Sequence, residues 1–225
     1  MDDLRLRYQT LEFGDVDVHV RALRDLQEFR NDGGEAESYG ISSATWPRFG
    51  VVWAAGHMLA RVMLDEDVAG RRVLEVGCGI ALASLLLRER GEDVTATDRH
   101  PEAGRFLTKN IALNGGREIP FFRECWDPGG GTPHDGEGER FGLIMASDVL
   151  YERDHAALLS AFINRHAEPK CEVIIVDPGR GELARFKDCM SALGFESREF
   201  PLPEPVPNQA AFKGRLVRLE RLQAA

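Results

Sequence analysis

Glu75, Gly77, Gly79 and Asp98 are the residues whose types and spacing point most directly to chemistry. Val73-Leu74-Glu75-Val76 reads as a buried strand, Gly77-Cys78-Gly79-Ile80 as a turn opening a helix, and Val94-Thr95-Ala96-Thr97-Asp98 as a second strand ending in a carboxylate. Glycines let the backbone approach a ligand where a Cβ would clash. An acid at the end of the following strand can accept hydrogen bonds from both hydroxyls of a ribose. The unit therefore reads as the cradle of an adenosine cofactor. A dinucleotide fingerprint, GxGxxG, needs a third glycine for close helix–strand packing, and that position is Leu82. Glu75, just ahead of the turn, would repel a pyrophosphate and suits a cationic ligand. S-adenosylmethionine, with its α-ammonium and sulfonium, fits that charge better than NAD.

The elements that must position these residues alternate from Arg72 onward. Strands are expected near 72–76, 93–97, 119–123, 141–147 and 171–176, and helices near 80–90, 101–113, 153–166 and 181–193. His100-Pro101 supplies a helix start, while Gly91 and Gly194 close the first and last helices. Such alternation implies parallel pairing through right-handed crossovers. Residues 195–200 and 212–222 are extended with no helix between them, so they pair antiparallel. The expected fold is α/β, with five parallel strands and a terminal hairpin at one edge. Ahead of it, Leu4, Leu6 and Tyr8, then Val16, Val18 and Val20, alternate about Gly14-Asp15 as a hairpin. Residues 31–40 read as a polar loop. Residues 51–63 read as a helix with Val51, Ala55, Met58 and Val62 on one stripe and Trp53 at its margin. The glycine-rich stretch 127–140 has no core-forming run. The expected division is an N-terminal extension over 1–49, a hairpin plus a helix within the same domain, followed by the α/β unit over 50–225.

Composition narrows the partners. The 225 residues are 43% hydrophobic and 29% charged, enough for one core. A net charge of −9 and a pI near 5.2 argue against nucleic acid as the main partner. Cys78, Cys125, Cys171 and Cys189 form no CxxC pair, and no His lies at metal-ligand spacing, so reduced thiols and no metal site are expected. His57, His100, His134, His155 and His166 are isolated in sequence. Met1-Asp2-Asp3-Leu4-Arg5 is acidic and mixed, and no apolar run reaches spanning length. Neither a signal peptide nor a membrane partner is expected, and the chain reads as cytoplasmic.

Taken together, Glu75-Val76-Gly77-Cys78-Gly79, Asp98 and the terminal hairpin resemble the seven-β-strand S-adenosylmethionine-dependent methyltransferases. That resemblance covers about residues 50–222. It implies a Rossmann-like three-layer sandwich with strand order 3-2-1-4-5-7-6. Trp53, Trp126-Asp127 and Ser147-Asp148-Val149-Leu150-Tyr151 resemble the family 16 methyltransferases, mostly protein lysine methyltransferases, whose motif after the fourth strand is an acid, two residues, then Tyr or Phe. Trp46-Pro47 and Val176-Asp177-Pro178-Gly179-Arg180 are similar to the branch that modifies the electron-transfer flavoprotein β-subunit. The resemblance implies cofactor contacts from Trp53, Glu75, Gly77, Cys78, Gly79, Asp98, Trp126 and Ser147, and a reactive end at Asp148 and Tyr151.

Each role stands beside a plainer one. Gly77 and Gly79 could form an ordinary strand-to-helix turn, and Asp98 a solvated cap beside Pro101. Trp126 offers a flat apolar face for an adenine and Asp127 an acceptor for its amine; they could equally be a packing Trp and a turn. Trp53 could simply pack in the core. Asp148 could hold an incoming ammonium while Tyr151 lines its channel, or it could cap the next helix. Asp177-Pro178 reads as the cap of the last helix, and Arg180 as a weaker substrate contact. The expected activity is N-methyl transfer to a protein lysine. The alternatives are a small-molecule amine of nicotinamide type, an NAD-dependent oxidoreductase, and a cofactor-binding module without catalysis.

Overall fold

The computed structural model describes residues 5–26, 34–38, 41–43, 46–127, 136, 138–204 and 212–222. Leu4, Tyr39, His134, Pro205, Pro207 and most of the 127–140 stretch lie outside the described residues.

An N-terminal hairpin pairs β1 (Leu6–Phe13) with β2 (Val16–Leu23) antiparallel, turning at Gly14-Asp15. After the single turn α1 (Glu35–Ser38) and a 3-10 turn over Trp46–Gly50 come α2 (Ala54–Leu64), β3 (Val73–Val76), α3 (Leu82–Glu89) and β4 (Val94–Asp98). Then follow α4 (Pro101–Leu113), β5 (Phe121–Arg123), β6 (Phe141–Ser147), α5 (His155–His166) and β7 (Ala167–Asp177). The described chain ends with α6 (Leu183–Ala192), β8 (Glu196–Phe200) and β9 (Arg215–Arg221). Seven strands form one sheet in the order β5-β4-β3-β6-β7-β9-β8. Counted within that sheet, this is the expected 3-2-1-4-5-7-6. Strands β3 to β7 pair parallel, and β9 pairs antiparallel with both β7 and β8.

Parallel strands covered on both faces read as continuous apolar runs, and successive side chains fall on opposite faces. Val73, Leu143, Met145, Ile174 and Val176 pack with Leu59 and Leu86 on one side. Leu74, Val76, Ile144, Val173 and Ile175 pack with Leu159, Phe162 and Phe186 on the other. The helix ends follow their sequence signals. Gly91 (φ +89°) donates to Arg88 O while Glu92 N donates to Leu87 O, a glycine-closed terminus. Gly194 ends α6 the same way, with bonds to Ser191 O and from Phe195 N to Met190 O.

The hairpin is fastened to α4 by two side-chain amides one turn apart. Asn114 accepts from His19 N–H at 2.8 Å and donates to His19 O at 2.7 Å, while Asn110 accepts from Arg21 N–H at 2.8 Å. These amides occupy the edge of β2 as a neighbouring strand would. Val18, Val20 and Ala22 join the same apolar cluster as α2 and α3.

Four expectations need correction. Residues 31–40, read as a polar loop, contain the helical turn α1 at Glu35–Ser38. The helix read over 51–63 begins at Ala54: Trp46–Gly50 forms a 3-10 turn, and Trp53, extended ahead of the helix, donates its indole N–H to Arg48 O of that turn at 2.8 Å. Strand β7 starts at Ala167 rather than 171, since Ala167 pairs with Phe141 across a register shift. Asp177 does not cap the last helix. It ends β7, accepts from Gly179 N–H at 2.7 Å, and α6 starts only at Leu183.

Candidate active site

Because β3, β4, β5 and β6 run parallel, their carboxyl ends share one edge of the sheet, where α/β ligands bind. A cavity of about 1040 Å³ opens there. Trp53, Glu75, Gly77, Cys78, Gly79, Asp98, Trp126, Ser147, Asp148 and Tyr151 all line it, and so does Asp127. The structure thus brings every sequence-derived site residue together around one cavity.

The turn after β3 is shaped by positive φ at alternating residues: Gly77 (+62°), Gly79 (+54°) and Ala81 (+61°). A Cβ on Gly77 would stand 2.8 Å from Val149 Cγ1, and one on Gly79 would stand 2.9 Å from Phe49 O. The close approach at Gly79 is therefore to the protein's own 3-10 turn. Phe49 in turn stacks on His100, ring centroids 4.0 Å apart. His100 is the true cap of α4, its Nδ1 accepting from Glu102 N–H at 3.2 Å. Burial and Arg99 push its imidazole down to about 3, so it stays neutral.

Asp98 is not a solvated cap. One oxygen accepts from His100 N–H at 2.8 Å and the other from Gly79 N–H at 2.9 Å. Burial raises its pKa against the pull of backbone bonds from His100, Gly79 and Arg99 and of the Arg99 charge. Glu75 is also buried, and Ser84 donates both its N–H (2.8 Å) and its hydroxyl (2.5 Å) to one oxygen. Burial lifts Glu75 to about 7, with the Ser84 bonds opposing and Asp98 adding to the rise. Cys78 is buried and its thiol pushed well up by desolvation, so it lines the cradle as a neutral group.

At the far side, Asp148 follows β6 with φ +51°, a left-handed conformation that Asp tolerates better than most residues. It caps no helix, since α5 begins at His155. Both its oxygens engage Arg180, from Nε at 2.6 Å and from Nη2 at 2.8 Å. Tyr151 is held between the Arg48 guanidinium, 4.8 Å from its ring centroid, and the His155 ring at 4.5 Å. Burial first, then nearby carboxylates, pushes its phenol up to about 12, so it remains protonated. His155 also meets Trp126 edge to face at 5.1 Å.

Sequence reasoning missed the supporting wall: Arg48, Phe49, His100 and His155. Phe49 meets His100 and Arg48 meets Tyr151 across long stretches of sequence, and a lone His offers no spacing signal of its own. Arg180 was visible only as part of the Val176–Arg180 motif. Within the wall the carboxylates Glu75, Asp98, Asp127, Asp148, Glu152 and Asp154 outnumber the guanidiniums Arg48, Arg99 and Arg180. Such a concave acidic surface attracts cations and opposes a diphosphate. Among the described residues no cluster of His, Cys, Asp or Glu could hold a metal ion, and no helix is long and apolar enough to cross a membrane.

Known proteins share both the sequence and the fold. The chain is 32% identical over 149 residues to the electron transfer flavoprotein beta subunit lysine methyltransferase of Danio rerio, covering 63% of this chain and 53% of that protein. It is 34% identical over 133 residues to the protein N-lysine methyltransferase METTL21A of Danio rerio, covering 52% and 56%. The chain thus spans about half the length of these curated relatives. The T. thermophilus 16S rRNA N2 G1207 methyltransferase RsmC, solved with AdoMet and guanosine, superposes with a TM-score of 0.60 at 15% identity, over 96% of this chain and 50% of that one. That likeness is one of fold. A family model described as lysine methyltransferase matches residues 44–185, well over half of the chain. With that match running from the 3-10 turn through Arg180, the chain belongs to the family 16 lysine methyltransferases.

Proposed function

We propose that the chain is an S-adenosylmethionine-dependent N-methyltransferase whose acceptor is a protein lysine. The observation that carries this is the gathering of Glu75, Asp98 and Asp148 in one acidic cavity beside the Gly77–Gly79 turn. The residues fit the cofactor. Asp98 lines the cavity with a carboxylate that can accept from ribose hydroxyls, and Trp126 presents an indole to the same space for the adenine, with Asp127 as acceptor for its amine. Trp53, Ser147 and the backbone of Cys78 border the methionine end, with the Glu75 carboxylate beside them. When bound there, the cofactor supplies a methyl group on a positively charged sulfur.

The protein's own part is to hold and align the acceptor. A lysine with its ordinary pKa of about 10.4 arrives as ammonium. Asp148 would hold that ammonium at the mouth, and Tyr151, kept neutral, would line its path. The proton leaves to water, so no strong base is needed, and alignment of the nitrogen supplies much of the rate. Both relatives are named as lysine methyltransferases of proteins, one of them for the electron transfer flavoprotein beta subunit, which favours a protein acceptor over a small amine. Cytoplasmic residence fits four cysteines that are all free thiols; recovery in an exported fraction would contradict it.

The test is incubation of cell lysate with methyl-labelled S-adenosylmethionine and the purified protein, followed by mass spectrometry of labelled bands. Label on lysine side chains of one or a few proteins is expected. Label confined to small molecules, or none above a no-enzyme control, would overturn the reading.

A further inference from the structure

Asp148 is the group assigned to the acceptor ammonium, yet both of its oxygens are already taken. Arg180 binds them side-on, Nε to one oxygen and Nη2 to the other. The Asp148 side chain is 13% exposed and that of Arg180 44%. The cation therefore reaches the carboxylate from the solvent side, the side from which an acceptor must come. Arg180 lies on no helix or strand. It stands between Gly179 (φ +87°) and Gly181 (φ +105°), two glycines in conformations that other residues rarely adopt, with open space where each Cβ would be. A residue between two such glycines can swing without dragging an element with it. Asp148, by contrast, is fixed. Its N–H donates to Val176 O at 3.0 Å, continuing the β6–β7 ladder, and its left-handed φ aims the carboxylate into the cavity wall.

We infer that Arg180 is a built-in placeholder for the acceptor: its guanidinium occupies the ammonium's seat on Asp148 and must swing away, on the Gly179–Gly181 hinge, when a lysine arrives. This rests on the proposed methyltransferase reading and adds a specificity device to it. The placeholder keeps the carboxylate oriented while the site is idle. It also raises the threshold for an acceptor, because only a cation able to displace a bidentate guanidinium can enter. A neutral amine gains nothing from the exchange, so the device favours a protonated lysine over an uncharged small molecule.

The test uses n-butylammonium as the probe for a lysine side chain, titrated by NMR against the full chain with and without S-adenosylhomocysteine. Removing the competitor in Arg180→Gln should tighten n-butylammonium binding about fivefold, the factor equal to roughly 1 kcal/mol for a solvent-touched ion pair. Adding Asp148→Asn to that variant should abolish the gain. A purely structural Arg180, one that merely holds Asp148 in place, predicts the opposite: Arg180→Gln would bind the probe equally or more weakly, and the inference would fall. S-adenosylhomocysteine titrations of the same samples separate the two levels. If it binds but the probe shows no gain, the placeholder alone is wrong. If it binds neither protein, the cofactor reading fails and takes the placeholder with it.

Discussion

If Glu75 borders the cofactor as proposed, binding depends on pH in a way that can be worked out beforehand. In the free protein its carboxyl is lifted from 4.5 to about 7, because burial outweighs the two bonds from Ser84. A raised carboxyl pKa means that the folded state holds a proton the unfolded chain has lost. The stability this contributes is complete below pH 4.5 and is lost as pH rises through about 7. The swing is on the order of 3 kcal/mol. A cation bound in the cradle favours the ionised form and draws the pKa back down. If it returns fully to its ordinary value, S-adenosylmethionine binding strengthens roughly 15-fold between about pH 5.5 and about pH 7. That window ends below the titration of the ligand's own α-amino group, near 7.7–8.0 for such groups. Calorimetric titrations at both pH values, in two buffers of different ionisation enthalpy, read the affinity and the proton released. Glu75→Gln keeps an acceptor for Ser84 but cannot ionise. Any slope left in that variant belongs to Asp98, whose pKa is also raised. The reasoning fails if wild-type affinity changes less than twofold across the window, or if Glu75→Gln keeps the full slope.

Further predictions address the cradle and its supports. Gly79→Ala must place a methyl at positive φ and 2.9 Å from Phe49 O, whereas Gly91→Ala meets only the conformational cost, with nothing within 4 Å. The first should lose about 2–5 kcal/mol and the second about 1–2, a difference of several degrees in Tm; equal melting shifts would contradict the Phe49 contact. Asp98→Asn should weaken S-adenosylmethionine at least about tenfold, the scale of one charged hydrogen bond, and an unchanged dissociation constant would remove Asp98 from the site. Asn114→Ala strips both polar groups of His19 of their partners. It should cost about 1–3 kcal/mol and speed hydrogen exchange in β2 while leaving β7 protected; uniform protection would show that the amide clasp does not hold the hairpin.

Much of this fold was legible because its signals are local. Val73–Val76, Val94–Asp98 and Phe141–Ser147 are short apolar runs ending at glycine or a carboxylate, and Gly91 and Gly194 mark helix ends by chemistry of their own. The terminal hairpin followed from the lack of a helix between its strands. What escaped is set by exact backbone geometry and by contacts that form only on folding. Trp53 lies outside α2 because its indole is spent on Arg48 O, and Asp177 turns back to Gly179 instead of capping α6. The same limit hid the stack of Phe49 on His100 and the capture of Asp148 by Arg180. The cradle residues could be named one by one, but the wall that holds them is made only by folding.

The central claim is that the acidic cleft beyond β3, β4 and β6 seats a sulfonium nucleoside with its methyl directed at Asp148. A crystal structure with S-adenosylhomocysteine tests it most directly. The account requires both ribose hydroxyls on the Asp98 carboxylate, the adenine against Trp126, and the sulfur facing the Asp148 side of the cavity. Ligand density elsewhere on the protein, or the sulfur turned away from Asp148, would contradict it.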